Sequence, residues 1–280
     1  MKKTILITGS GGYLGQVVTR DLIKSRKYNV HLVFEDINNE DSLNQHLLSL
    51  ANVDTVLHLA ALNPSYTGNE QDMIQTNYIA TKNLASFYKD AHFIFLSTEC
   101  VFDSDPGTPR NIGDPRIPKT IYGKSKVLAE NFLLEKCDSN NISILRTSML
   151  YGYDDSKRKN FLRFLHEHLK NKIEVEVYTD VYTHPTHVSD LSAFILNAVA
   201  HRSTGIVHAC AEDYVNRYEL GKMFCDSHGY SRDLLIPTTQ PLAGRLPRQL
   251  NLEPSDIFTK QAKFTLESGI KTSLEGLRFN

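Results

Sequence analysis

The sequence lacks the features that mark several large classes of protein. Its 31 basic and 32 acidic residues nearly cancel, so no broad basic surface for nucleic acid is expected. No apolar run approaches the roughly 20 residues that span a bilayer, and no membrane association is predicted. Low-complexity linkers and internal repeats are absent as well. With a hydrophobic content of 41%, the composition favours a globular α/β domain, alone or with a smaller companion, over a disordered chain.

The cysteines also lack a pattern. None of Cys100, Cys137, Cys210 and Cys225 forms a CxxC pair, which predicts scattered reduced thiols and favours a cytoplasmic location. The opening residues, MKKTILITGS, place two lysines before an apolar run, as a signal peptide does. The run is too short and leads directly into a glycine-rich turn, so we predict that it is the first strand.

Short apolar segments alternate with helical patterns in the first half of the chain. The pattern predicts strands at 4–8, 30–34, 55–59, 92–96 and 142–146, and helical stretches at about 17–23, 42–50, 71–88 and 122–137. Such alternation implies parallel βαβ units and therefore a doubly wound sheet in residues 1–150. Residues 151–280 mix helices (160–171, 188–200 and 217–227) with strands (174–178 and 205–208), which predicts a small α/β lobe partly interleaved with the first unit.

The turn after the first strand is rich in glycine. ILITGSGGYLG places Gly9, Gly12 and Gly15 at the spacing G-x-x-G-x-x-G, with Tyr13 and Leu14 between the last two. Glycines here allow a tight turn and let a pyrophosphate approach the backbone at a helix N-terminus. The position after an apolar strand and before an amphipathic helix favours a Rossmann-type dinucleotide site over a plain βα turn.

A second motif is a tyrosine four residues before a lysine. In TIYGKSKVLAE, Tyr122 and Lys126 share one face of a predicted helix. A nearby ammonium lowers a tyrosine pKa from about 10 and makes the phenol a better general acid. The same spacing recurs at Tyr218 and Lys222, so the pair alone is not diagnostic.

Together these motifs resemble a known superfamily. T-G-x-x-G-x-x-G, VLHLAA (56–61) and NYIATKNL (77–84) are similar to the extended branch of the short-chain dehydrogenases/reductases, which acts on nucleotide sugars. STECVFD (97–103) and YGKSK, followed by Glu130, resemble signatures of the dTDP-4-dehydrorhamnose reductase family. KNFLRFL, THPTHVSDLS and RLPRQLNL extend the resemblance over nearly the whole chain.

The resemblance implies roles for individual residues. Thr98 would hydrogen-bond a substrate carbonyl, Tyr122 would protonate it, and Lys126 would lower the Tyr122 pKa and hold the nicotinamide ribose. The implied cofactor contacts are Gly9, Gly12, Tyr13, Leu14, Gly15, Asp36, Ile37, Leu59, Ala60, Ala61, Ser97 and Lys126. The implied substrate contacts are Thr98, Val101, Phe102, Asn160 and Arg245, with Arg245 suited to a diphosphate. No metal site is expected, because His184 and His187 have no third ligand in view.

The chain departs from the family at positions that affect specificity. Glu99, Cys100 and Ser104 replace the usual Asp, Tyr and Gly, and Leu246 interrupts the usual Arg-Pro step. Glu35 lies where an acid would bind the ribose of NAD, whereas Asp36 and Ile37 match the step beside the adenine. We prefer the second interpretation. These residues do not decide between the two cofactors: NADPH is the first expectation, because biosynthetic reductases usually use it, and NADH is the alternative.

The predicted function is an NAD(P)H-dependent reductase of a nucleotide-linked 4-keto-6-deoxy sugar, in deoxysugar or polysaccharide biosynthesis. One alternative is a nucleotide-sugar epimerase or dehydratase, although such relatives usually have a longer C-terminal lobe. Another is a non-catalytic NADP-binding subunit, because HPTHVSD also resembles the regulatory β subunit of methionine adenosyltransferase. The expected partner is the nucleotide sugar, and a homodimer is a further assembly to test, since such folds often pair through helices.

Overall fold

A parallel sheet forms the centre of the protein. The computed structural model describes residues 2–33, 37–38, 50, 52–63, 69–102, 108–152, 160–241 and 248–275. Its strands are β1 (Lys3–Thr8), β2 (Tyr28–Val33), β3 (Thr55–His58), β4 (His92–Thr98), β5 (Ile142–Thr147), β6 (Leu150–Tyr151), β7 (Val175–Tyr178), β8 (Tyr182–Thr183), β9 (Thr186–His187), β10 (Gly205–His208), β11 (Val215–Asn216) and β12 (Leu235–Thr238). Six of these form one sheet in the order β2-β1-β3-β4-β5-β10, with every neighbouring pair parallel.

Helices cover both faces of this sheet. They are α1 (Tyr13–Ser25), α2 (Glu70–Ile74), α3 (Ala80–Phe87), α4 (Ile121–Lys136), α5 (Phe161–Leu169), α6 (Val188–His201), α7 (Arg217–His228), α8 (Asp256–Thr259) and α9 (Leu266–Thr272). Successive strand residues point to opposite faces. In β1, Ile5 and Ile7 therefore join the layer containing α1 and α6, whereas Leu6 joins the layer containing α3 and α4. The predicted doubly wound α/β fold is confirmed.

The strand order places a crevice between β1 and β3. The chain runs from β1 outward to β2 and then returns to the other side of β1 to form β3. In open α/β sheets, ligands bind at such a switch point, beyond the carboxyl ends of the strands. The glycine turn follows β1, and Leu59–Ala61 follows β3, so both segments meet at this edge.

The second half of the chain contributes to two regions. A small lobe packs α5, α7 and α9 around β7 and β12, with its own apolar core that includes Leu165, Phe224 and Ile270. β10 instead forms the edge of the main sheet, and α6 packs in the layer with α1. The division at residue 150 stays a prediction.

One predicted helix is divided. The pattern at 71–88 predicts a continuous helix, but a π-helical turn at Gln75–Ile79 separates α2 from α3. Asn77 lies in this turn, where its side chain bonds the backbone of Leu62 and the hydroxyl of Ser125 in α4. The π turn thus ties the segment after β3 to the helix of Tyr122. In the described part of the chain, no helix has the length and apolar character needed to cross a membrane.

Candidate active site

The glycine turn packs against the segment after β3. Gly9 has a φ of 73°, and a Cβ atom added there would lie 2.5 Å from the backbone nitrogen of Ala60. A Cβ atom at Gly15 would overlap the carbonyl oxygen of Gly9. Only residues without side chains allow this close packing of turn, strand end and helix start. The backbone at this turn can therefore approach a pyrophosphate group, as the glycine spacing predicts.

A cavity of about 1050 Å³ opens above the switch point. Of the residues predicted to contact the cofactor, those that line it are Gly9, Gly12, Tyr13, Leu14, Gly15, Ile37, Leu59, Ala60, Ala61 and Ser97. Asp36 and Glu35 lie outside the described residues. The sequence analysis did not single out Asn38 and Thr76, which hydrogen-bond each other on the same wall. The glycine turn and the segment after β3 together form a wall that fits a dinucleotide cofactor.

Thr98 and Tyr122 meet on the wall of this cavity. Thr98 ends β4, Tyr122 lies in the first turn of α4, and both side chains line the cavity, close enough for Thr98 to influence the pKa of Tyr122. Thr120 caps α4 by accepting from the backbone nitrogen of Gly123, at 3.0 Å, which fixes the start of the helix. A Cβ atom at Gly123 would overlap the carbonyl oxygen of Cys100, so this glycine lets α4 approach the end of β4.

Lys126 lies behind this wall and does not line the cavity. Its ammonium donates to the carbonyl oxygen of Leu96 at 2.8 Å and sits 4.5 Å from the ring centre of Phe95. Burial lowers the pKa of Lys126 to about 7, against the opposing effect of Glu130. The expected lowering of the Tyr122 pKa by Lys126 is not found, because burial raises that pKa and the ammonium faces β4. Tyr122 and Lys126 therefore share a helix face as predicted, but the Lys126 ammonium bonds the Leu96 carbonyl oxygen instead of Tyr122.

A buried ion network supports the end of β4. Glu130 is fully buried in α4 and accepts from Ser97 at 2.5 Å, from Arg146 at 2.8 Å and from Arg116 at 2.8 Å. Burial opposes the charge of Glu130, but the bonds and charges of these groups outweigh it and lower its pKa. The Ser97 hydroxyl is thus hydrogen-bonded to Glu130, although Ser97 borders the cavity.

The predicted substrate residues fall into three groups. Asn160 lines the cavity; it caps α5 and donates to the Tyr13 hydroxyl and the Gly152 carbonyl oxygen, both at 3.0 Å. Val101 and Phe102 do not reach the cavity, because both are buried in an apolar cluster with Cys210 and Leu252. Arg245 lies outside the described residues.

A polar cluster that sequence analysis did not assign lies beside Thr98. Glu99 accepts hydrogen bonds from Ser148 and, at 3.4 Å, from Thr183. Burial raises the pKa of Glu99 to about 7, although these bonds and the charge of Arg217 act in the opposite direction. The other titratable groups close enough to interact with Glu99 are Cys100, Tyr122, Cys210 and Tyr214. In the sequence, this polar cluster was signalled only by Glu99, which replaces the Asp that the family usually has at this position.

Arg217, the first residue of α7, is a second unassigned residue on the cavity wall. Its neighbours in the second Tyr-x-x-x-Lys motif, Tyr218 and Lys222, do not line the cavity. Lys222 pairs with Glu219 and lies 5.2 Å from the ring centre of Tyr218. The second motif is thus a local packing pair.

The histidines noted in the sequence have structural partners. His58 is buried between Thr8 and Thr81, and its pKa falls to about 3, mainly through burial. His184 bonds Asn251, and His187 caps α6. Within the described ranges, no group of three or more His, Cys, Asp or Glu side chains is placed to hold a metal ion.

Comparisons with known proteins agree with this geometry. The family described as the RmlD substrate binding domain matches residues 1–265. The spore coat polysaccharide biosynthesis protein SpsK of Bacillus subtilis is 27% identical over 252 residues, which cover 87% of this chain and 86% of that protein. The dTDP-4-dehydrorhamnose reductase of Mycolicibacterium smegmatis is 26% identical over 246 residues, with 85% and 73% covered.

Two further comparisons extend the range of relatives. The methionine adenosyltransferase 2 subunit beta of Mus musculus is 26% identical over 300 residues, with 97% of this chain and 87% of that protein covered. Among solved structures, the dTDP-4-dehydrorhamnose reductase of Bacillus anthracis in complex with NADP superposes with a TM-score of 0.86, covering 98% of this chain and 99% of that one. Its sequence identity of 22% makes this likeness a statement about the fold.

Proposed function

The chain belongs to the RmlD substrate binding domain family of extended short-chain dehydrogenases/reductases, and from this premise we propose that it is an NAD(P)H-dependent reductase of a nucleotide-linked 4-keto-6-deoxy sugar. The observation that carries the proposal is that Thr98 and Tyr122 lie together on the wall of the cavity that the glycine turn borders. The reductase relative at 26% identity supports the substrate class. Deoxysugar or polysaccharide biosynthesis is the proposed context.

The bound nicotinamide would supply the hydride. Thr98 donates a hydrogen bond to the keto oxygen and so stabilises the charge that develops there. Tyr122 transfers its phenolic proton to the same oxygen, which completes the new hydroxyl group and leaves a phenolate. Because burial raises the pKa of Tyr122, the phenol carries its proton at neutral pH.

Lys126 and the glycine turn position these groups. The Lys126 ammonium holds the Leu96 carbonyl oxygen, two residues before Thr98, and lies one helical turn from Tyr122. Gly9, Gly12 and Gly15 offer backbone to the cofactor pyrophosphate, and Leu59 to Ala61 line the wall beside it. Asp36 and Arg245 keep their proposed roles toward adenine and substrate diphosphate.

The test is loss of nicotinamide absorbance with purified protein. NADPH and NADH are each combined with dTDP-, GDP- and UDP-linked 4-keto-6-deoxy sugars. We expect stoichiometric cofactor oxidation with one nucleotide sugar. Cofactor binding without cofactor oxidation in the presence of any of these sugars would refute the reductase and favour a bound-cofactor epimerase or dehydratase.

A second candidate is a non-catalytic regulatory subunit, as in the methionine adenosyltransferase relative at 26% identity. An intact Thr98–Tyr122 pair is compatible with that role. Affinity purification from the source cells, followed by size-exclusion chromatography, separates the two. A stable stoichiometric complex, with no turnover of any sugar, would favour the subunit.

A further inference from the structure

Arg217 is a cation in the cavity wall that forms no ion pair with any described residue. Its Nε nitrogen is buried and has no hydrogen-bond partner within the described part of the chain. One terminal nitrogen lies against the sulfur of Met149, and the guanidinium carbon sits 4.9 Å from the ring centre of Phe161. A thioether is only a weak acceptor, and an aromatic face does not neutralise a charge. Burial lowers the pKa of Arg217 to about 10, so the side chain stays positive at neutral pH.

Glu99, the acid whose charge acts on Arg217, does not form an ion pair with this cation. Glu99 interacts with Arg217 through its charge, but its carboxyl oxygens accept from Ser148 and Thr183 instead. No ion pair joins Glu99 and Arg217 among the described residues. Because burial also raises the pKa of Glu99 to about 7, this carboxyl group is partly neutral near neutral pH and compensates the guanidinium charge only in part. A bound anion would compensate the charge of this guanidinium and supply a partner for its buried Nε nitrogen.

The position of Arg217 separates this anion from the cofactor. The glycine turn faces the cavity from the main sheet, whereas Arg217 faces it from the small lobe, at the start of α7. Glu99, which interacts with Arg217, directly follows Thr98. The anion therefore belongs to the molecule whose keto group Thr98 contacts. In a nucleotide-linked sugar, the anionic group is the diphosphate at C1, across the ring from C4.

We propose that Arg217 binds the diphosphate of the nucleotide-sugar substrate, through the paired donors of its guanidinium. The planar fork of arginine suits two phosphate oxygens at once. The assignment rests on the proposed function for the identity of the ligand. With this assignment, a residue of the described part of the chain binds the substrate diphosphate, in addition to the role proposed for Arg245.

Calorimetric binding of nucleoside diphosphates to the protein saturated with NADP⁺ tests this assignment without turnover. dTDP, UDP and GDP are titrated first, and the tightest binder is compared with its nucleoside. Arg217→Gln should weaken the affinity for the diphosphate by about 10- to 100-fold, as expected when hydrogen bonds to a charged group are lost. Arg217→Lys should lie in between, because lysine keeps the charge but loses the fork. The affinity for the nucleoside should not change.

Lys222→Gln is the matched control, because it removes a positive charge from the same helix outside the cavity. Its diphosphate affinity should stay within about twofold of the wild type. An unchanged affinity in Arg217→Gln overturns the assignment while leaving the reductase proposal, with its separate oxidation assay, in place. Equal losses for nucleoside and diphosphate also overturn it. Melting temperatures report folding, and if Arg217→Gln does not fold, an unchanged affinity in Arg217→Lys is the contrary result.

Discussion

The buried carboxylate of Glu130 offers the sharpest test of what holds the end of β4 in place. Glu130 has no exposed side-chain surface, and its partner Arg146 is 1% exposed. Arg116 adds a second ion pair at 2.8 Å, and Ser97 donates at 2.5 Å. Glu130→Gln keeps the shape and one acceptor oxygen but removes the charge that compensates Arg146.

Breaking a buried ion pair by removing one partner costs about 3–5 kcal/mol. Since glutamine still accepts one or two of these bonds, we take the lower end, about 3 kcal/mol. For a chain of this size, each kcal/mol shifts the melting temperature by roughly 2–4 °C, so a fall of about 6–12 °C is expected. Glu135→Gln, on the exposed side of the same helix, should change stability by less than about 0.5 kcal/mol.

The pH dependence gives the prediction a second signature. The folded pKa of Glu130 is lowered from 4.5, so its contribution is fully present above that value and is lost as the pH falls through the lowered pKa. The stability gap between wild type and Glu130→Gln should therefore narrow below pH 4.5. Urea unfolding followed by circular dichroism measures both effects. A destabilisation under about 1 kcal/mol at pH 7 would refute the view that this carboxylate compensates a buried arginine.

Two further predictions concern the cavity. Because the pKa of Glu99 is about 7, the KM for the nucleotide sugar should rise as the pH increases through 7, where the Glu99 carboxylate competes with the substrate for Arg217. Glu99→Gln should flatten this pH profile. A profile that is the same in the variant and the wild type would contradict the assignment of Arg217 to the substrate diphosphate. Gly15→Ala should weaken NADPH binding by at least about 100-fold in a fluorescence titration, because its Cβ overlaps the Gly9 carbonyl oxygen. Gly11→Ala is the matched control, since its Cβ would meet no atom within 4 Å, and equal effects of the two substitutions would argue against a close-packed turn.

Local patterns were sufficient for the fold and half of the candidate site. Strand and helix periodicity predicted five of the six strands of the main sheet, because strands buried on both sides form continuous apolar runs. The sixth strand, β10, was predicted at 205–208 but was assigned to the small lobe, whereas it pairs with β5 in the main sheet. The spacing of Gly9, Gly12 and Gly15 located the turn, and the strand-end position of Thr98 located the hydroxyl beside Tyr122. Each of these inferences depends on residues close together in the sequence.

The remaining features depend on contacts between distant segments. Lys126 shares a helix face with Tyr122, but its ammonium bonds Leu96 on the neighbouring strand, which helix spacing cannot reveal. Val101 follows β4, as the family pattern expects, but a single turn of 3₁₀ helix directs the Val101 side chain into the core.

Arg217 shows the same limit most clearly. It precedes Tyr218 in a motif that resembles the catalytic pair, and nothing in its local sequence distinguishes it from a surface arginine. Only the packing of the small lobe against the main sheet brings its guanidinium to the cavity.

The two Tyr-x-x-x-Lys motifs allow the most direct test of the central claim. The measurement is kcat for nicotinamide oxidation with the accepted 4-keto-6-deoxy nucleotide sugar, for wild type, Tyr122→Phe and Tyr218→Phe. Loss of a general acid should lower kcat of Tyr122→Phe by about 10²–10⁴-fold, with cofactor affinity unchanged. Tyr218→Phe should match the wild type. Equal activity of Tyr122→Phe and wild type, or equal losses in the two variants, would contradict the assignment of Tyr122 as the proton donor.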